Sequence, residues 1–147
     1  MSRWPPRIGG LGGGGVVPPP LEVGGQLSWG AISLANTTII RYLTPWAPGL
    51  LAPTTPIQFE ITRAAVLRNM YVRHNNPGGS GAIITYTLRV NGVATALSVS
   101  LASTSATGTD LVSTVAVSAG DTVDIEVTKS ANAGGGARIV MCEMEMA

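Results

Sequence analysis

Residues 84–101 read ITYTLRVNGVATALSVSL. Ile84, Tyr86, Leu88 and Val90 alternate with Thr85, Thr87 and Arg89, the period of two expected of a strand with one buried face. Leu97, Val99 and Leu101 resume the alternation with Ser98 and Ser100 between them. Asn91-Gly92 joins the two runs. A two-residue turn that matches the twist of its strands needs positive φ at both central positions, and Asn and Gly tolerate that best. The stretch therefore predicts a β-hairpin, and with it an antiparallel sheet.

The same alternation continues on both sides. Ile57, Phe59 and Ile61 alternate with Gln58, Glu60 and Thr62, and Val123, Ile125 and Val127 with Thr122, Asp124 and Glu126. Ser118-Ala119-Gly120-Asp121 predicts a second hairpin, its tight turn built on Gly120, between Val115/Val117 and Val123. In the last run Val140, Cys142, Met144 and Met146 share a face opposite Glu143 and Glu145. Residues 28–34 and 37–43 are β-prone, while 66–73 loses its phase near Arg68 and Asn69, which predicts a bulge. Turn formers fill 75–81, 103–108 and 131–136, and Pro45, Pro48, Pro53 and Pro56 exclude a helix between the early strands. Such spacing predicts an all-β fold: an antiparallel β-sandwich, a jelly roll of about eight or nine strands, over residues 27–147.

Residues 1–26 are different. Eight Gly and five Pro occupy half of them, so the segment cannot pack an element of its own and reads as an extended arm. Its glycines lack the every-third-residue period of collagen. Yet Arg3, Trp4, Arg7, Ile8, Leu11, Val16, Val17 and Leu21 are interspersed, more Trp and aliphatic surface than a solubilising tail carries. These eight residues are the expected partner-binding set of an arm that orders against a neighbouring subunit. Arg41 and Trp46 are further interface candidates, because Arg and aromatics are enriched where binding energy concentrates. Trp29 is expected to close one end of the core.

Charge and composition exclude several classes of function. Nine Lys and Arg against eight Asp and Glu give a net charge of +1, too little basic excess for a phosphate-backbone binder. The sum hides an asymmetry: residues 1–76 carry six Arg and two Glu, and residues 77–147 carry three basic and six acidic groups. Opposite signs on the two halves suit contacts between subunits, or neutralise each other within one sandwich. The single cysteine excludes an internal disulfide and a cysteine metal cage. Apolar stretches stop short of the ~18 residues that a membrane helix needs, and the first residues lack the apolar core of a signal peptide, so a soluble protein is expected.

Catalytic chemistry finds little to work with. His74 is the sole histidine, with no recognisable nucleophile and acid around it. Cys142 belongs to an apolar face, where a thiol is inert. Asp110, Asp121, Asp124 and Glu126 are not spaced as a cation loop, and Asp124 and Glu126 are expected to face solvent or a neighbour. The glycine runs 9–15 and 134–136 lack the Lys and Ser/Thr of a phosphate loop. No enzyme activity, metal or cofactor is expected.

Residues 85–100 followed by 115–127 resemble a recurrent β-sandwich domain of tailed-phage virion proteins. They are similar, at greater distance, to trimeric tumour-necrosis-factor-like jelly rolls, in which a Gly-Asp turn precedes the penultimate core strand. The residues that carry the resemblance are Asn91-Gly92 and Gly120-Asp121 within alternating strands, and it covers roughly residues 57–146. It implies a capsid-decorating, fibre-head or other accessory virion protein, a homotrimer whose partner is the major capsid protein or another virion protein, with no nucleic-acid or membrane partner. The arm has no counterpart in that domain, so its attachment role rests on its composition. The alternative is a tail-fibre or head-fibre module whose loops 75–81, 103–108 and 131–136 read a host glycan or receptor. Those loops contain no aromatic residue for a sugar to stack on.

Overall fold

The computed structural model describes residues 25–31, 33–34, 40–46, 52–75, 81–130 and 138–146, and their regular structure is entirely β. The strands are β1 Gly25–Ala31, β2 Arg41–Tyr42, β3 Thr44–Pro45, β4 Phe59–Glu60, β5 Ala65–His74, β6 Ile83–Val90, β7 Val93–Ala102, β8 Thr107–Val117, β9 Thr122–Lys129 and β10 Arg138–Met146. They form two antiparallel sheets, one in the order β3-β1-β10-β5-β8, the other β2-β9-β6-β7 with β4 also paired to β9. The first long strand pairs with the last, and β2 with the penultimate β9. This nesting is that of a jelly-roll β-sandwich.

Alternation decides the core. Leu67, Met70 and Val72 of β5 face Ile84, Tyr86 and Leu88 of β6, Leu97 and Val99 of β7 and Ile125 of β9, all buried between the sheets. Full burial of one such side chain stabilises by about 1.5–3 kcal/mol, so this interior is the main source of stability. Trp29 is also buried, as expected of a residue closing the core.

The Asn91-Gly92 hairpin forms as its sequence predicts. Val90 pairs with Val93, and φ is +51° at Asn91 and +78° at Gly92. The bulge near Arg68 and Asn69 is present too. Arg68 pairs with Thr114 and Met70 with Asp110, so Asn69, at φ +51°, stands opposite three residues of β8.

Other expectations are corrected. Ser118 to Asp121 do not close a hairpin, because β8 pairs with β5 in one sheet while β9 pairs with β6, β2 and β4 in the other. The turn is a corner between sheets. The Gly120 amide donates to the Ile61 carbonyl at 2.7 Å, and the Ile61 amide to the Asp121 carbonyl at 2.8 Å, so a distant segment takes the bonds that a hairpin partner would have taken. The predicted strand around Phe59 shrinks to two residues, with Ile57 exposed and Ile61 buried, since Ile61 is engaged by that corner. β8 begins at Thr107, inside the stretch predicted to be a turn. Gly108 permits this: a Cβ there would lie 2.8 Å from Cγ1 of Val99 on β7. The described residues form ten strands where eight or nine were expected, the shortest having two residues each.

Candidate functional site

One edge of the first sheet, at β3, is built around Trp46. β3 pairs with β1 through Trp29↔Pro45 and Gly30↔Thr44, and the Trp46 amide donates to the Ser28 carbonyl at 3.2 Å. The backbone of Trp46 sits at φ +55°, a region that bulky side chains avoid and occupy only where the surroundings enforce it. Its ring stands edge-on to Phe59 at 5.0 Å, and Phe59 in turn meets the buried Trp29 at 5.2 Å. Trp46 is nonetheless 64% exposed.

The ring separates two cavities of about 230 Å³ each. Leu27, Phe59, Met144 and Met146 line one, with Glu60 and Arg63 among its polar walls. The other is lined by Trp29, Ile139 and Met141, with Gln26 and Ser28 beside them. Two buried polar atoms at this edge, Nε1 of Trp29 and Oγ1 of Thr44, have no hydrogen-bond partner among the described residues.

The opposite edge of the same sheet is β8. Its bulge carries Leu111 and Val112, which are 67% and 90% exposed. Asp110 braces it: Oδ1 accepts from the amides of Val112 at 3.1 Å and Ser113 at 3.0 Å, while Oδ2 accepts from the Ser98 amide on β7 at 3.2 Å. Burial acts to raise the Asp110 pKa, yet the amides of Ser113, Val112 and Ser98 hold it below the usual carboxylate value. Sequence reasoning missed Leu111 and Val112. Their one signal was a pair of adjacent apolar residues after an Asp, breaking the alternation of β8.

The remaining candidates are structural. Asn91 and Asp121, from the two predicted turns, are brought together: Nδ2 of Asn91 donates to Oδ1 of Asp121 at 2.8 Å, and Oδ1 of Asn91 accepts from the Thr122 amide at 2.9 Å. Gly92 and Gly120 supply the positive φ that these linked turns need. Asp124 is a correction, for it is wholly buried on the outer side of its sheet beneath Arg89, Gln58 and the neighbourhood of Tyr42. His74 is buried with Nε2 2.8 Å from the Tyr86 hydroxyl, and burial together with nearby Arg138 lowers its pKa to about 4. Burial pushes the Cys142 thiol up to about 12, which leaves it protonated and unreactive.

Arg41 and Trp46 do not share a surface element. Arg41 lies on β2 in the four-strand path of the second sheet, paired with Val127, while Trp46 follows β3 in the first sheet. The eight arm residues Arg3, Trp4, Arg7, Ile8, Leu11, Val16, Val17 and Leu21 lie outside the described residues. The first strand begins at Gly25, paired with Met144, two residues ahead of the boundary expected at 27.

Among the described residues no three His, Cys, Asp or Glu converge as a metal-binding group, and no helix is long and apolar enough to cross a membrane. No protein-family model matches the chain, and no curated protein matches its sequence.

Proposed function

We propose that this chain is a structural protein of a virus particle: a jelly-roll domain that self-assembles, as a trimer, and fastens to the capsid or another virion surface through residues 1–24. The observation that carries the reading is the contrast between a sandwich closed by strands that begin at Gly25 and a preceding Gly/Pro-rich stretch holding Trp4 and seven further apolar or Arg candidates. A sandwich that already buries a continuous interior has no need of that apolar surface for folding, whereas docking on a partner uses it. Burial of Trp4, Ile8, Leu11 and the 16–21 segment supplies the affinity, with Arg3 and Arg7 pairing with carboxylates of the partner.

A non-enzymatic role is supported by the state of the two groups best able to react. His74 is buried against Tyr86, and Cys142 is held as a thiol inside the core. Deletion of residues 1–24, which spares the Gly25↔Met144 pairing, tests the attachment. The truncated protein is expected to fold and self-associate but to stay in the supernatant when virus particles are sedimented. Particle binding at wild-type occupancy would sink the arm's role.

A further inference from the structure

We propose that one end of the sandwich binds a small tetrahedral oxyanion, inorganic phosphate or sulfate, between the two sheets, held by Arg41, Lys129 and Arg138. The proposal is independent of the virion reading above. It starts from the inward-facing rows of the strands. On β9 that row runs Val123, Ile125, Val127 and then Lys129, and on β10 it runs Cys142, Val140 and then Arg138. Arg41 of β2 stands directly opposite Val127 and so on the same face, with the core residue Leu43 two positions on. On β5 the row Met70, Val72 ends in His74, which pairs with Arg138. His74 reaches Tyr86, and Tyr86 pairs with Val127, so the four basic residues lie at one level of the sandwich. Two strands of each sheet thus exchange apolar for basic side chains at the same end.

These groups are not ordinary surface cations. Arg138 is wholly buried and Lys129 is 8% exposed, while Arg41 is half-buried with its Nε enclosed and without a hydrogen-bond partner among the described residues. They also feel one another. Burial, and then the charges of Arg41 and Arg138, lower the Lys129 pKa. Gathering like charges away from water is costly, and buried charges in folded proteins are normally compensated.

The carboxylates of this chain are placed elsewhere. Asp124 and Glu126 engage Arg89 on the outer side of the second sheet, and Glu143 and Glu145 approach Arg68 on the outer side of the first. Asp110 braces the β8 bulge, and Glu60 and Asp121 lie by Thr122, at the other end of β9 from Lys129. The segments that link the described stretches contain no Asp or Glu. Glu22 precedes Gly25 by three residues, a reach of about 11 Å at most, whereas Gly25 stands six residues of strand, about 20 Å, from Ala31, the residue opposite Arg138. Compensation therefore comes from an external anion. Two guanidinium forks and an ammonium, approaching from both sheets, suit a small ion that presents oxygens in several directions, and the half-exposed Arg41 marks its way in.

Thermal unfolding of the full chain in chloride buffer, with inorganic phosphate added at constant ionic strength, tests the proposal, and isothermal titration calorimetry counts the ions bound. Wild-type protein is expected to bind one phosphate per chain and to gain Tm as phosphate rises, because a ligand of the folded state stabilises it. Lys129→Met and Arg41→Gln are expected to bind phosphate at least about tenfold more weakly. Lys129→Met carries a second signature. Without phosphate it should be at least as stable as wild type, since a buried like charge is gone, and with phosphate it should be the less stable of the two. A merely structural lysine would give the same order in both buffers. Arg68→Gln, on the exposed face of β5, is the control that leaves the response unchanged.

Phosphate stabilises many proteins by exclusion from their surface, so an equal rise in Tm for wild type and both variants would overturn the proposal. So would the absence of a binding isotherm, or an unaltered isotherm in Arg41→Gln. Arg41→Gln, at a half-buried site, decides the matter should Lys129→Met fail to fold.

Discussion

Two buried polar centres, one on the outer side of the second sheet and one between the sheets, are satisfied in different ways. On the outer side of the second sheet, Arg89 of β6 grips the fully buried Asp124 of β9 through two bonds, Nε to Oδ1 at 2.7 Å and Nη2 to Oδ2 at 3.1 Å. Glu126 accepts from Nη1 at 3.1 Å, Gln58 donates to Oδ2 of Asp124 at 2.8 Å, and the guanidinium lies 4.6 Å from the Tyr42 ring centre. Between the sheets, His74 and Tyr86 meet at 2.8 Å beside Arg138, and burial keeps the imidazole neutral. The first centre holds its charges by compensating them. The second excludes a new charge altogether. A cross-strand register, Arg89↔Asp124, makes compensation possible where two long strands pair side by side. His74, the last residue of β5, faces inward across the sandwich toward β6, where a neutral hydrogen bond is the cheaper solution.

The largest effect is expected from Asp124→Ala. It strips the bidentate partner from a guanidinium that is only 11% exposed, and breaking such a pair costs about 3–5 kcal/mol, toward the lower end here because Glu126 remains. Urea denaturation of wild type and variant measures it. A loss below about 1 kcal/mol would place this pair with ordinary surface ion pairs.

Acid should break the other centre. The folded pKa of His74, about 4, lies below its ordinary value of 6.5, so the unfolded chain binds the proton first. Stability from neutral His74 is therefore complete above pH 6.5 and is lost as pH falls through about 4. At about 1.4 kcal/mol per pH unit the loss approaches about 3 kcal/mol. His74→Gln should flatten the slope of stability over that window. An equal slope in the variant would assign it to carboxylates instead. The smallest effect is expected from Tyr86→Phe, which leaves Nε2 of His74 without its partner and costs about 1–2 kcal/mol, read from the same denaturation curves.

Much of the fold was legible because it is local. The alternation of residues 84–101, the Asn91-Gly92 turn and the phase break at Asn69 each predict a feature from a few neighbouring side chains, and each is present. The Gly120 turn was legible as a turn but not as a corner, since alternation on either side of a tight turn looks the same whether the strands pair or separate. Asp124 looked like an outward-facing residue and is one; its burial comes from Arg89, Gln58 and Tyr42, contributed by three other parts of the chain. Of the candidate surface, Trp46 was visible as an aromatic among prolines. Leu111 and Val112 were not, because exposure of an apolar pair depends on whether a neighbouring strand covers it.

The sequence by itself determined that the chain is all-β, which side of the strands around residues 84–90, 97–101 and 140–146 is buried, and where the tightest turn falls, because a strand's period of two and the φ requirement of a turn are properties of adjacent residues. Only the tertiary structure decided which strands are neighbours, that β8 and β9 lie in different sheets, and that Trp46 and the Leu111–Val112 bulge mark opposite edges of one of them. Backbone hydrogen bonds join any strand to any other with little regard for side chains, so pairing is settled by the packing of the whole sandwich.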